Sequence, residues 1–389
     1  MKNERVAILD VRSMEVTFMI GTKSFNSSYE SCGAKTEAYE GYGADGFLDI
    51  DSFKDAVQAA VESVLKTYKG KFDRIYVGTP SAFVQVRTIG QNLPFTKRRK
   101  ITPADVERLF DCGLNELMES GRCIRASAMY FETGKSGKYF SERELYGTPS
   151  SFLSGGLCYY FADESFCAAV EEALLPFAFG KVVFLPQSLA QARFLLSEKK
   201  RSGYAVLVDA GYLTSTVSVV YGDGIVRENS FTGGVGGILC HLMNCFNLEI
   251  EEAEEALTYA NIASGSDEAD KPFGEDTGKI IPARRINDVV EYGVDQLCDG
   301  VNRFLEEHYK GKEGVLANNT VWLTGEAVEI IDGISDYMTR TLEKNVKVLR
   351  PELAYNDKPS QSSRVSLLAM AISDKQKKKR FKLFGGKRV

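Results

Sequence analysis

Tyr204-Ala-Val-Leu-Val-Asp-Ala-Gly211 is an apolar run that ends on an acid and a glycine. Tyr212-Leu-Thr-Ser-Thr216 follows, and Val217-Ser-Val-Val-Tyr221 is apolar again. Gly222-Asp-Gly224 then leads into a third strand-like run that stops at Gly233-Gly234. Short apolar runs between turn residues predict a strand, a tight turn, a strand, a hairpin at Asp223-Gly224 and another strand. In the first turn Gly211 lets backbone approach a ligand with no Cβ in the way. Free amides there, with the hydroxyls of Thr214, Ser215 and Thr216, suit a phosphate. Asp209, at the carboxyl end of its strand, is placed to hold a water-bridged Mg²⁺. An ordinary hairpin with a polar turn has the same pattern, so one copy decides nothing.

A second copy does. Arg5-Val-Ala-Ile-Leu-Asp10 precedes Val11-Arg12-Ser13 and the strand-like Val16-Thr-Phe-Met-Ile20. Two strand–Asp–turn–strand units predict two related half-domains that face each other across a cleft, with Asp10 and Asp209 as paired metal candidates. This layout resembles the actin, hexokinase and heat-shock ATPase superfamily. The resemblance implies a two-lobed α/β fold and a nucleotide in the cleft.

At 389 residues the chain is long enough for two or three domains with sizeable cores. Its composition, 44% apolar and 26% charged, is that of a globular protein, and no apolar run reaches transmembrane length. The N-terminus leads straight into a strand with no secretory pattern, which implies a cytoplasmic protein. Eight cysteines without a Cys-x-x-Cys pair, and two histidines, point to reduced thiols rather than zinc. A net charge of −5 argues against a nucleic-acid partner.

The expected divisions are a first-lobe core at 1–83 and 163–197, a small subdomain at 84–162, a second-lobe core at 198–237 and 317–350, an outer subdomain at 238–316, a closing segment at 351–373 and a basic tail at 374–389. In the first lobe, Asp51-Ser-Phe-Lys starts a helix with Ala56, Val57, Ala60, Val61, Val64 and Leu65 at helical spacing, and Asp73–Gly78 returns as a strand. In the small subdomain, Thr102 caps a helix with Pro103 in its first turn. Gly134-Lys-Ser-Gly-Lys138 lacks the glycine-rich lead-in of a phosphate loop and reads as an ordinary turn. In the outer subdomain, Ile286, Val289, Val290, Val294, Leu297, Val301, Phe304 and Leu305 share one face of a long helix, after a polar loop over 262–278. Val365–Ile372 is a last apolar helix after a loop over 356–363.

Within the superfamily the chain resembles FtsA, the actin-like protein of bacterial cell division, over nearly its whole length. Ile101-Thr-Pro-Ala-Asp-Val106 resembles the helix start of the FtsA-type small subdomain, and Gln187-Ser-Leu-Ala-Gln-Ala192 the crossing helix "E-P-L-A-S-A". Val208-Asp-Ala-Gly-Tyr-Leu-Thr-Ser-Thr216 resembles the second phosphate motif "D-I-G-G-G-T-T-D". Gly233-Gly234 and Ala253-Glu254 are similar to its glycine pair and "A-E", and Val321-Trp-Leu-Thr-Gly325 to the strand and turn against adenosine. The resemblance implies ATP and Mg²⁺ held by Asp10, Arg12, Ser13, Asp209, Gly211, Thr214, Ser215, Gly233, Gly234, Glu254, Gly325 and Glu326. Gln187 falls where the family has glutamate, so it is the candidate to position an attacking water. Arg284 and Arg285 fall in the subdomain that in FtsA receives the acidic, apolar C-terminal peptide of FtsZ, and are candidates to pair with its carboxylates.

The departures are as informative. Arg12 stands where the first turn should carry glycine. Tyr212-Leu213 replace two glycines, Thr216 replaces a second aspartate, and Glu326-Ala327 replace glycines beside adenosine. An arginine at Arg12 is either a bidentate contact to phosphate or the end of phosphate binding.

The tail from Lys375 to Val389 carries eight basic residues and no acid, and removing them takes the net charge from −5 to −13. Lys378, Lys379, Arg380, Phe381, Lys382, Leu383 and Phe384 make it a candidate anchor to an anionic membrane. The implied function is a cytoplasmic, membrane-peripheral scaffold. It would form filaments, tie FtsZ-type filaments to the membrane at the division site, and turn ATP over weakly if at all. The alternatives are a pilus- or secretion-type assembly protein that binds a membrane protein's peptide, and a scaffold that works without nucleotide.

Overall fold

The computed structural model describes residues 5–24, 28–43, 45–117, 121–134, 137–263, 272–274, 279–309, 316, 320–353 and 356–383, with 377–383 as helix backbone only. The expected loop over 262–278, the Lys135-Ser136 pair and Phe384 lie wholly or mostly outside the described residues.

Both aspartate units are hairpins. β1 (Val6–Val11) is buried along its whole length and pairs antiparallel with β2 (Glu15–Lys23), Asp10 opposite Thr17. A strand this uniformly apolar is one covered on both faces. β3 (Tyr29–Ala38) extends the sheet from β2. Asp49 caps α1 (Ile50–Thr67), accepting from the amides of Asp51 and Ser52. The helix buries Phe53, Ala56, Val57, Ala60, Val61 and Val64. β4 (Ile75–Thr79) then lies parallel to β1.

The chain next leaves this lobe. β5 (Val84–Lys100), β6 (Arg122–Glu132), β7 (Pro149–Ala162) and a two-residue strand at Lys138–Tyr139 form an antiparallel sheet in the order β5-β7-β6-(138–139). α2 (Pro103–Asn115) packs on it, its start fixed by a capping box between Thr102 and Asp105, which also pairs with Arg99. α3 (Glu164–Leu174) and β8 (Val182–Pro186) return to the first lobe, giving the order β8-β4-β1-β2-β3. α4 (Gln187–Leu195) crosses toward the second lobe.

β9 (Ala205–Ala210), β10 (Thr214–Tyr221) and β11 (Gly224–Thr232) form a second meander. α5 (Val235–Phe246), α6 (Ile250–Leu257) and α7 (Ala283–Tyr309) follow, α7 burying the predicted apolar face from Ile286 to Leu305. Next come β12 (Val321–Thr324), α8 (Glu326–Ile330), α9 (Ile334–Leu342) and β13 (Val346–Val348). The sheet order, β11-β10-β9-β12-β13, repeats the first plan: an antiparallel three-strand meander with two parallel strands added beside its first strand. Asp10 and Asp209 end equivalent central strands.

α10 (Ser362–Leu383) starts inside the expected loop and runs on, unbroken, into the expected tail. Leu367, Leu368, Met370, Ala371 and Ile372 are buried in a core shared with Val6, Ile8, Leu189 and Ala192, and Val365 is buried as well. Leu368 lies so close to Gly21 that a Cβ there would stand 2.6 Å from its Cδ2. Because Leu367 is fully buried, Leu367→Ala should lower unfolding free energy by about 2–5 kcal/mol in chemical denaturation, the cost of a large-to-small change in a packed core.

Candidate functional site

The site is built where the two aspartate turns meet. Arg12 has a fixed backbone: its amide donates to the Glu15 carbonyl at 2.8 Å, and its carbonyl accepts from the Tyr39 hydroxyl at 2.6 Å. The side chain crosses the cleft. Nη1 donates to Asp209 Oδ2 at 2.7 Å and Nη2 to Asp209 Oδ1 at 3.2 Å, a bidentate fork. Nε reaches Glu326 Oε1 at 3.4 Å, on the first residue of α8. The three side chains are only 11%, 13% and 17% exposed. Gln191 adds a donor to Asp209 Oδ2 at 2.8 Å. Burial works to raise the Asp209 carboxyl, but the charge and hydrogen bonds of Arg12, then Gln191, outweigh it and hold the group below its ordinary range. Arg12 is itself raised well above its ordinary range: burial opposes its charge, and Asp209 and Glu326 more than offset that.

Asp10 is satisfied within its own neighbourhood. Its Oδ1 accepts from Gln187 Nε2 at 2.9 Å and from Ser363 Oγ at 2.6 Å. Gln187 also donates to the Val11 carbonyl at 2.8 Å. Burial raises the Asp10 carboxyl, against the lowering effects of Arg12 and Ser363. Beside Ser363, Ser362 Oγ shares a 2.7 Å hydrogen bond with Thr324 Oγ1 at the end of β12. The first turn of α10 therefore holds one lobe through each of two adjacent serines.

The predicted phosphate cradle is folded in on itself. Ser13 Oγ accepts from the Leu213 amide at 3.0 Å, so the two turns bond to each other. Ser215 Oγ donates to the Gly233 carbonyl at 2.6 Å. Glycine at Gly211 and Gly234 serves backbone-to-backbone contact. A Cβ at Gly211 would stand 2.5 Å from the Thr214 carbonyl oxygen, and one at Gly234 2.3 Å from that of Gly211. Gly325 has φ +107°, and its Cβ would meet the Ala210 carbonyl at 2.3 Å. About 20 Å³ remains among Arg12, Ser13, Tyr42, Gln187, Asp209 and Thr214, room for one water. Glu254 is exposed on α6. The Tyr212 hydroxyl is raised by burial first and by the Glu254 charge second.

The Mg-ATP that the resemblance implies does not fit these side chains as placed. Mg²⁺ needs a near-octahedral shell of oxygens. Both Asp209 oxygens are taken by a guanidinium, and Asp10 Oδ1 is taken twice. Among the described residues no group of three or more His, Cys, Asp or Glu could hold a metal.

Arg284 and Arg285 are exposed at the start of α7, the Arg285 guanidinium 5.2 Å from the Phe246 ring centroid. Residues from Lys378 to Leu383 are helix, with side chains outside the described residues. Sequence reasoning missed Gln191, Ser362, Ser363 and Glu228. Gln191 was within reach, one helical turn after Gln187. Glu228, on β11, had no local signal. Its Oε2 accepts from Ser81 Oγ at 3.0 Å, across the cleft, and from Ser218 Oγ at 3.5 Å, while Oε1 is buried without a partner among the described residues.

No family model matches this sequence, and no curated protein does. Solved structures match in fold. A structure described as the PilM-PilN type IV pilus biogenesis complex is 15% identical, with 95% of this chain and 99% of that one covered at a TM-score of 0.60. MreB5 of Spiroplasma citri bound to ADP is 12% identical, covering 97% and 98%, at 0.55. The ethanolamine utilization protein EutJ from Carboxydothermus hydrogenoformans is 11% identical, covering 95% and 90%, at 0.53. The chain has the actin-like ATPase fold.

Glu228 supplies a pH test. Burial raises its carboxyl from the ordinary 4.5 to about 7, with Ser188, Ser81 and Ser218 pulling the other way. The folded state therefore holds a proton that the unfolded state has released across that window. The contribution to stability is full below 4.5 and is lost as pH rises through about 7. Melting curves of wild type and Glu228→Gln should diverge over this range, the wild type losing more stability with rising pH than the variant. Parallel curves would place Glu228 in a solvated setting.

Proposed function

We propose that this chain is a scaffold of the actin-like fold that links an assembly partner to an anionic membrane surface, and that it does not depend on nucleotide turnover. The observation that carries this is α10. Its first turn bonds both lobes through Ser362 and Ser363, its apolar half is buried in the first lobe, and its basic half continues as the same helix. The tail and the cleft are therefore joined by one continuous helix. Among the described residues no helix is long and apolar enough to cross a membrane. A basic segment instead acts at the surface, each Lys or Arg near an anionic leaflet contributing roughly 1 kcal/mol. Gln187, as the candidate for positioning water, has its amide nitrogen committed to Asp10 and Val11, which supports a structural duty.

The partner on this reading is an acidic, apolar peptide of the FtsZ C-terminal type. It docks beside Arg284 and Arg285, whose exposure at the start of α7 supports the assignment. Self-association into filaments at the division site, on the inner face of the membrane, is part of the same reading. A pilus-type role is the second reading, and fold agreement with the PilM-PilN complex over nearly the whole length favours it. There the peptide would come from a membrane protein and the tail would be secondary.

Vesicle sedimentation separates them. The protein should bind anionic vesicles, release in high salt, and lose binding when Lys377 to Val389 are deleted. Equal binding to neutral vesicles, or none to either, contradicts the anchor. Reversing Arg284 and Arg285 to glutamate should weaken binding of an FtsZ-type tail peptide at least tenfold; unchanged binding removes that partner site.

A further inference from the structure

The geometry points to Arg12 as a built-in cation that takes the place of a metal–nucleotide ligand and holds the lobes closed with nothing bound. This goes beyond the scaffold reading and stands or falls without it.

Four carboxylates lie around Arg12: Asp10, Glu15, Asp209 and Glu326. Two cations answer them. Arg364, on α10, reaches Glu15 at 3.7 Å. Arg12 lies between Asp209 and Glu326. With four acids and two bases the cleft is already negative, so a free phosphate would meet repulsion and would have to draw Arg12 away from Asp209. That would leave Asp209 buried without its cation, which is strongly destabilising for an ion pair of this kind. A metal would face the same obstacle, since it must share its carboxylates with a guanidinium that cannot deprotonate.

The surroundings are arranged for closure. The Leu213 amide is bonded to Ser13, a first-turn hydroxyl bonded to a second-turn amide, where an open cleft would keep both for ligand. Gly211, Gly234 and Gly325 bring backbone against backbone. Gln191 fills the remaining position on Asp209 Oδ2. Each of these contacts is compatible with Arg12 and with a closed cleft that leaves about 20 Å³.

The inference has a consequence in the opposite direction. Removing Arg12 leaves Asp209 and Glu326 unpaired around a new void, next to the buried Asp10. Arg12→Gly also restores the glycine turn at the end of β1. That variant should therefore be less stable than wild type, with two carboxylates left buried without their cation.

The test is thermal melting and isothermal titration of the full chain, wild type and Arg12→Gly, with Mg²⁺, Mg-ATP or a chelator. The wild type should show no binding heat at millimolar Mg-ATP and a melting point unmoved by metal or chelator. Arg12→Gly should melt lower than wild type. Tight Mg-ATP binding by the wild type overturns the inference outright. So does a folded Arg12→Gly that is as stable as wild type. If Arg12→Gly does not fold, Arg12→Met, which keeps the length and drops the charge, goes through the same titrations with the same two outcomes.

Discussion

The Arg12 side chain spans the cleft and ties the first aspartate turn to Asp209 and Glu326 in the second lobe. A buried ion pair costs several kcal/mol per ion in lost hydration, and it is tolerated only where the geometry and the remaining hydrogen bonds are good. Arg12 and Asp209 meet that condition: the fork is bidentate, Gln191 takes a further position on the carboxylate, and Glu326 meets Nε. The cost of burial explains why the arrangement is so complete. A cation of this kind with one partner missing would be strongly destabilising, so the turn, α4 and the start of α8 are constrained together.

The rest of the molecule is arranged around that closure. The two central strands bring Asp10 and Asp209 to equivalent positions because the sheets share one topology. α4 carries Gln187 and Gln191 one turn apart, one to each aspartate. α10 begins with Ser362 and Ser363, again one to each lobe. Ser81 and Glu228 make a further cross-cleft contact from β11. A fold built elsewhere around a ligand is here joined by its own side chains, and the helix that completes the joint continues into the basic tail.

Much of this was legible in the sequence. The duplicated strand–Asp–turn–strand pattern gives both hairpins, because a one-residue slip would turn a buried face outward and register is therefore written into the apolar pattern. The Thr102 cap, the α1 face and the α7 face were readable for the same local reason. Arg12 was recognisable as out of place in a glycine turn, but its partner was not, since the pairing with Asp209 joins residues far apart in the chain. Glu228 and Ser81 were invisible on the same ground. Ser362 and Ser363 sit in a polar run after Pro359 that reads as a loop; tertiary contacts with Thr324 and Asp10 extend the helix over them. Gly211 reads in the sequence as a place where backbone approaches a ligand, whereas in the structure a Cβ there would meet the Thr214 carbonyl.

The central claim is that Arg12 and Asp209 hold the lobes together as a pair. A double-mutant cycle measures this directly, with Arg12→Met, Asp209→Leu and the double variant compared by chemical denaturation. A coupling of about 1–3 kcal/mol that persists in high salt is the predicted result for a buried pair. Additivity within about 0.5 kcal/mol would contradict it, and would mean that the cleft is held shut by something other than this arginine.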